Sequence, residues 1–116
     1  TLLLGAEEAG LQLKEKDGSW LDIAPPPGAL VVNIGDMLQR LTNHVLPSTS
    51  HRVINPSPER SRFARYSMPF FLHFNPDFVI ETLPSTITPD NPDRYEGKAI
   101  MAEDFLTERL KEIRLI

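Results

Sequence analysis

A mainly β fold with one short internal helix and one closing helix is predicted by three observations. Apolar and polar residues alternate at period two over residues 10–14, 20–23 and 62–73. A continuous apolar run, Ala29-Leu30-Val31-Val32, follows a proline cluster, as a buried strand would. Helical spacing occurs in only two places, Met37 to Asn43 and Ile100 to Ile113.

The chain opens on Thr1-Leu2-Leu3-Leu4-Gly5, an apolar run without an initiator Met that reads as the middle of a strand, so the natural chain is expected to extend upstream. Gly10 to Lys14 and Trp20 to Ile23 form a hairpin across Lys16-Asp17-Gly18-Ser19, whose Asp and Gly favour a tight turn. Pro25-Pro26-Pro27-Gly28 cannot donate ladder hydrogen bonds at its prolines and directs the chain into the strand Ala29 to Asn33, expected to be buried on both faces. Gly35 breaks that strand, and Asp36 is the expected N-cap of a helix Met37 to Asn43 with Met37, Leu38 and Leu41 on its apolar side. His44 to Val53 reads as extended, because Pro47 forbids an interior helical turn. Beyond the Asn55-Pro56-Ser57-Pro58-Glu59 bend, Arg62 to His73 predicts one long strand or two consecutive strands. Prolines 76, 84, 89 and 92 predict a loop along the surface. Phe105, Leu106, Leu110 and Ile113 give the final helix the face with which it packs on the sheet.

With 116 residues, 41% of them hydrophobic, the chain suits one domain with a modest core. A net charge of -4 and scattered Lys and Arg give no basic stripe for nucleic acid, despite a local cluster of Arg52, Arg60, Arg62 and Arg65. No apolar run approaches the ~20 residues of a membrane span. The absence of Cys excludes disulfides, thiolate catalysis, iron-sulfur clusters and Cys-type zinc sites. It agrees with a cytoplasmic location, which is the expectation.

Two segments carry chemistry. On a strand, His51 shares its face with Val53 while Ser50 and Arg52 point the other way, so its imidazole would enter a mostly apolar interior, as a metal ligand or as a hydrogen-bonded core or surface His. His44 and His73 fit a ligand role less well, and the three His match no local zinc spacing. Arg65 and Ser67 fall on one face of the next strand, where the guanidinium fork and the hydroxyl suit one end of a dicarboxylate. A surface pairing of Arg65 with Glu59 or Asp36 is the alternative. Phe70 and Phe71 are pocket wall or core, with core expected for at least one of them. The strands bearing His51 and Arg65 could lie side by side and face one cavity. Asn33-Ile34-Gly35-Asp36 reads as a capping turn, lacking the glycines of a phosphate loop and the carboxylates of a calcium loop.

Taken together, Gly10-Leu11-Gln12, the run from Pro25 to Asp36, Ser50-His51-Arg52-Val53 and the run from Arg65 to Phe71 resemble the isopenicillin N synthase-like branch of the iron(II)- and 2-oxoglutarate-dependent oxygenases. Four separated motifs stand in family order across residues 1–83. The segment 84–116 looks like the C-terminal extension and helix of bacterial members.

The resemblance implies the C-terminal part of a double-stranded β-helix, or jelly roll, with a two-His, one-carboxylate iron site and 2-oxoglutarate as cosubstrate. It assigns His51 to the distal iron ligand and Arg65 with Ser67 to the far carboxylate of 2-oxoglutarate; Phe70 or Phe71 would then line the substrate side. The family's His-x-Asp motif is missing: Leu46, Val53 and Asn75 stand two residues after His44, His51 and His73. The interval from His51 to Arg65 is also longer than in many plant relatives, but Arg62 has no Ser two places on. The implied activity is a dioxygenase using O₂ on a small molecule, without nucleic acid or membrane partners. It would be completed by an N-terminal part of the same protein and inactive in this piece alone. A same-branch oxidase that grips a substrate carboxylate instead, and a non-catalytic β-fold binding or dimerising module, remain the alternatives.

Overall fold

In the computed structural model, residues 1–5 and 10–116 are described, and Ala6 to Ala9 lie outside the described residues. The chain forms two compact units, each drawn from two stretches: residues 1–33 with 49–71, and residues 34–48 with 72–116.

The first unit holds two three-stranded antiparallel sheets. One contains β1 (Leu2–Leu4), flanked by β4 (Leu30–Val32) and β6 (Met68–Phe70). The register pairs Leu2 with Val32 and Phe70, and Leu4 with Leu30 and Met68, so these six side chains share one face of the sheet. That face is open, with Val32 65% and Phe70 61% exposed. The expectation of a strand 29–33 buried on both faces therefore fails: β4 lies at a sheet edge and only Val31 on its far face is half-buried. Pro69 is tolerated opposite Leu3 because β6 is also an edge strand.

The second sheet contains β2 (Leu11–Lys14), flanked by β3 (Trp20–Asp22) and β5 (His51–Val53). The predicted hairpin is present. Asp17 Oδ1 accepts from the Ser19 amide at 2.9 Å and its hydroxyl at 2.6 Å, which holds that carboxyl below its usual range, and Gly18 adopts φ 89.

The long strand predicted over 62–73 is reduced to β6. Residues 58–62 form turns in which Ser61 Oγ donates to Pro58 O at 2.8 Å, and 64–67 are irregular. Alternation alone could not register this local competition for backbone groups.

The second unit contains α1 (Asp36–Leu41), β7 (Val79–Ile80), β8 (Ile100–Met101) and α2 (Ala102–Glu112), with a 3₁₀ turn at Pro84–Thr86. Asp36 is not the N-cap: Gly35 holds that position without a side-chain bond, and Asp36 stands in the first turn, where its charge suits the helix dipole. Helix α1 ends early because Thr42 Oγ1 donates to Leu38 O at 2.8 Å and Asn43 and His44 turn left-handed, at φ 49 and 65. Ile80, Ala102 and Phe105 form this unit's core, closed by Met37, Leu41, Phe74 and Ile100. The loop predicted around the prolines thus contributes Ile80, fully buried, on a two-residue strand too short for periodicity to reveal. The final helix buries Ala102 and Phe105 as its spacing predicts, whereas Ile113 is 63% exposed. No helix among the described residues is long and apolar enough to cross a membrane.

Candidate functional site

Every singled-out residue, His51, Arg65, Ser67, Phe70 and Phe71, belongs to the first unit. The expectation of adjoining strands is corrected: β5 pairs with β2 in one sheet, whereas Arg65 and Ser67 occupy the irregular segment leading into β6 of the other. Their two-residue spacing therefore carries no strand-face argument.

His51 lies opposite Leu13, and Val53 opposite Leu11, so the imidazole shares a sheet face with apolar side chains as predicted. It is exposed, however, and not enclosed in an apolar interior, because β5 is an edge strand exposed at all three positions. Its Nδ1 lies 3.3 Å from the Thr49 carbonyl oxygen. A carbonyl only accepts, so Nδ1 is the donor in this contact and Nε2 is the nitrogen it leaves open.

Arg65 is half-buried, and its Nε is buried with no acceptor among the described residues. A buried guanidinium N–H without a partner is costly, and a carboxylate oxygen is the group that relieves it. Its bed is a bare stretch of backbone at Gly10. A Cβ built there would lie 3.8 Å from Arg65 Nε, 3.6 Å from Val53 Cγ1 and only 2.9 Å from Ile54 O. With φ 144 at Gly10 as well, glycine is required at this close approach of β2 to the end of β5. The Arg65 stem therefore reaches the end of the strand that carries His51. Arg62 is exposed and stacks over Phe63 at 5.0 Å, as Arg60 does at 5.3 Å.

Ser67 is exposed. Neither Phe is core: Phe70 is 61% and Phe71 63% exposed, against the expectation that at least one would be buried. Phe70 belongs to the open apolar face of its sheet.

The close approach of Gly10 to Arg65 was not legible in the sequence. A glycine at a strand start signals a close approach in general, but which group approaches is set by pairing far along the chain. In the second unit, sequence reasoning also missed a polar knot. Asn43, fully buried, donates from Nδ2 to Asn91 O (3.2 Å) and Pro92 O (3.0 Å) and accepts at Oδ1 from the Arg94 amide (3.0 Å). His44 Nε2 lies 2.8 Å from the Tyr95 hydroxyl, and burial, with Arg94 nearby, holds the imidazole below its usual value. Amides from Tyr95 and Gly97 hold the Asp93 carboxyl low.

The residues present fit the two groups unequally. The orphaned Arg65 Nε and the Gly10 bed fit a carboxylate. Among the described residues no cluster of three His, Asp or Glu could hold a metal ion, so His51 by itself makes no metal centre.

Comparison with known proteins places the chain in a family. The model of the 2OG-Fe(II) oxygenase superfamily matches residues 1–74. The chain is 42% identical over 113 residues to the 2-oxoglutarate-Fe(II) type oxidoreductase hxnY of Emericella nidulans, covering 97% of this chain and 31% of that protein. A crystal structure of a Caulobacter crescentus protein assigned to the 2OG-Fe(II) oxygenase family superposes with a TM-score of 0.90 at 62% identity, covering 97% of this chain and 36% of that one. The structure of JOX2 in complex with 2OG, Fe and JA gives a TM-score of 0.76 at 31% identity, over 92% of this chain and 30% of that one. The chain thus spans about a third of the length of the relatives it matches.

Proposed function

Because this chain belongs to the 2OG-Fe(II) oxygenase superfamily, whose jelly-roll fold and Fe(II) and 2-oxoglutarate cofactors it shares, we propose that the complete protein is a 2-oxoglutarate-dependent dioxygenase acting on a small molecule. His51 serves as an iron ligand through Nε2, with Thr49 O fixing its tautomer. Arg65 grips the far carboxylate of 2-oxoglutarate, and Ser67 adds a hydroxyl donor beside it. An iron site of this class needs two further protein ligands, without which His51 and Arg65 would support no turnover. Bound together, ferrous iron and 2-oxoglutarate supply the electrons that reduce O₂, the oxoacid leaving as succinate and CO₂.

Each residue's part follows from its chemistry. Arg65 is permanently charged, so it holds the diacid at any working pH and sets which end of it faces His51. Its partly buried position limits competition from water, and the bare Gly10 backbone leaves room for the stem. Phe70 and Phe71 would offer apolar surface to a substrate but no proton transfer.

The observation that carries the reading is the buried Arg65 Nε without an acceptor, on a chain whose first 74 residues match the family. The test is O₂ uptake and succinate release by the complete protein with Fe(II) and 2-oxoglutarate. One succinate per O₂, lost in His51→Ala, is the expected outcome. Uptake without succinate would instead favour an oxidase that uses Arg65 on a substrate carboxylate.

A further inference from the structure

The strand that carries His51 is only three residues long, sits at a sheet edge and is exposed throughout. Burial therefore specifies its register weakly, and a slip of one residue would exchange the faces of His51 and Arg52. What opposes that slip lies on the face away from His51. Asp22, Gln12 and Arg52 stand directly opposite one another across β3, β2 and β5. Gln12 Nε2 donates to Asp22 Oδ1 at 2.7 Å, and Arg52 Nε donates to Gln12 Oε1 at 2.8 Å. The Arg52 guanidinium lies 4.0 Å from the Trp20 ring centroid, a cation-π contact that holds it flat against the sheet.

An amide suits the middle of this row. Asp22 can only accept and Arg52 can only donate, so the central side chain must donate on one side and accept on the other. The same two neighbours fix which way the amide points. Backbone bonds flank the row, from Lys14 N to Ser50 O and from Ile54 N to Gly10 O, both 2.9 Å. The peptide linking His51 to Arg52 is thereby held from both ends and from behind.

We propose that Gln12 is a positioning residue for His51: by bridging Asp22 to Arg52 it locks β5 in the register that turns the imidazole toward the metal. This rests on the reading of His51 as an iron ligand. A positional support of this kind sits behind the ligand, where loss of a supporting group typically weakens metal binding 10- to 100-fold. The lower end is expected here, because the row is solvent-exposed and water competes for its bonds.

The probe is Mn(II), titrated into the complete protein and followed by the resonance of the free ion. His51→Ala should abolish specific binding. Gln12→Leu should weaken it by about tenfold. Gln12→Glu should weaken it comparably, since the new carboxylate still accepts from Arg52 but faces Asp22 with like charge. Asp22→Asn added to Gln12→Glu restores a donor opposite that carboxylate, and the double variant should recover to within about threefold of the parent. A merely structural role for Gln12 would lower the melting temperature of the metal-free protein in step with the affinity, whereas a positioning role weakens Mn(II) binding with that temperature kept. If His51→Ala binds Mn(II) as the parent does, the ligand reading fails and the inference goes with it. If His51→Ala loses binding while Gln12→Leu keeps it, the positioning role alone is overturned. Should Gln12→Leu not fold, a double variant no tighter than Gln12→Glu overturns it equally.

Discussion

Replacing Arg65 by Ala isolates the carboxylate clamp, because its effects on binding and on stability have opposite signs. The Arg65 Nε is buried without an acceptor among the described residues, so much of its desolvation cost is already incurred before any ligand arrives. An arriving carboxylate gains charge-assisted bonds, each worth about 1.5–3 kcal/mol. A net loss of about 3 kcal/mol on truncation corresponds to roughly 150-fold weaker 2-oxoglutarate binding. Arg65→Lys keeps the charge but loses the fork and the Nε donor, and should cost about tenfold. Arg62→Ala removes an exposed side chain stacked on Phe63 and should cost less than about twofold. Without ligand, Arg65→Ala should not lower the melting temperature, since it deletes an unsatisfied donor. With 2-oxoglutarate at 100 times the parent's Kd, ligand stabilisation should fall from about 2.7 to about 0.3 kcal/mol. Thermal unfolding of the complete protein with Mn(II), with and without 2-oxoglutarate, reads both effects. Equal losses in the Arg62 and Arg65 variants, or a ligand shift that survives Arg65→Ala, would refute the assignment.

Two further outcomes concern the second unit. Asn43→Ala strands three backbone groups, at Asn91, Pro92 and Arg94, and places Ala at φ 49; a loss of about 4 kcal/mol is expected, of which Asn43→Gly regains about 1, and urea unfolding that shows less than about 1 for Asn43→Ala would contradict the knot. The folded state holds His44 below its ordinary value of 6.5, so the unfolded chain takes up the proton first; its contribution to stability is complete above pH 6.5 and declines as the pH falls through and below that value. The melting-temperature difference between parent and His44→Gln should therefore be flat above pH 7 and shrink toward pH 5, and a difference independent of pH would remove His44 as its source.

Residue type and period made the hairpin, both helices and the apolar strand at Leu2–Leu4 legible, because each is a local pattern. The failures share a physical cause. The strand expected over 62–73 shrank to three residues because serine and the preceding prolines satisfy the backbone by turns, a competition that alternation does not record. Asp36 lost the capping position to Gly35, a shift of one residue that propensity cannot resolve. His51 and Arg65 stood out by residue type, yet the pairing around them was not legible, since β5 joins β2 across separations such as that of Gln12 from Arg52. The orphaned Nε and the Gly10 bed are consequences of that pairing and had no separate trace in the sequence.

The two units use their apolar residues differently, and this bears on how the site is held. In the second, Ile80, Ala102 and Phe105 are almost wholly removed from water, so packing fixes α2 against β7 and β8. In the first, Leu11 is the one buried apolar residue among those described, while Leu4, Leu30, Val32, Met68 and Phe70 lie more than two-fifths exposed on one sheet face. Burial at about 25 cal/mol per Å² cannot position side chains that remain in water. Orientation in that unit falls to directional bonds: the Thr49 carbonyl on His51 and the Gln12 row behind it. Directional bonds specify geometry within tenths of an ångström while contributing little net stability. The unit that carries His51 and Arg65 is therefore the one in which a single polar substitution should alter binding without unfolding the chain.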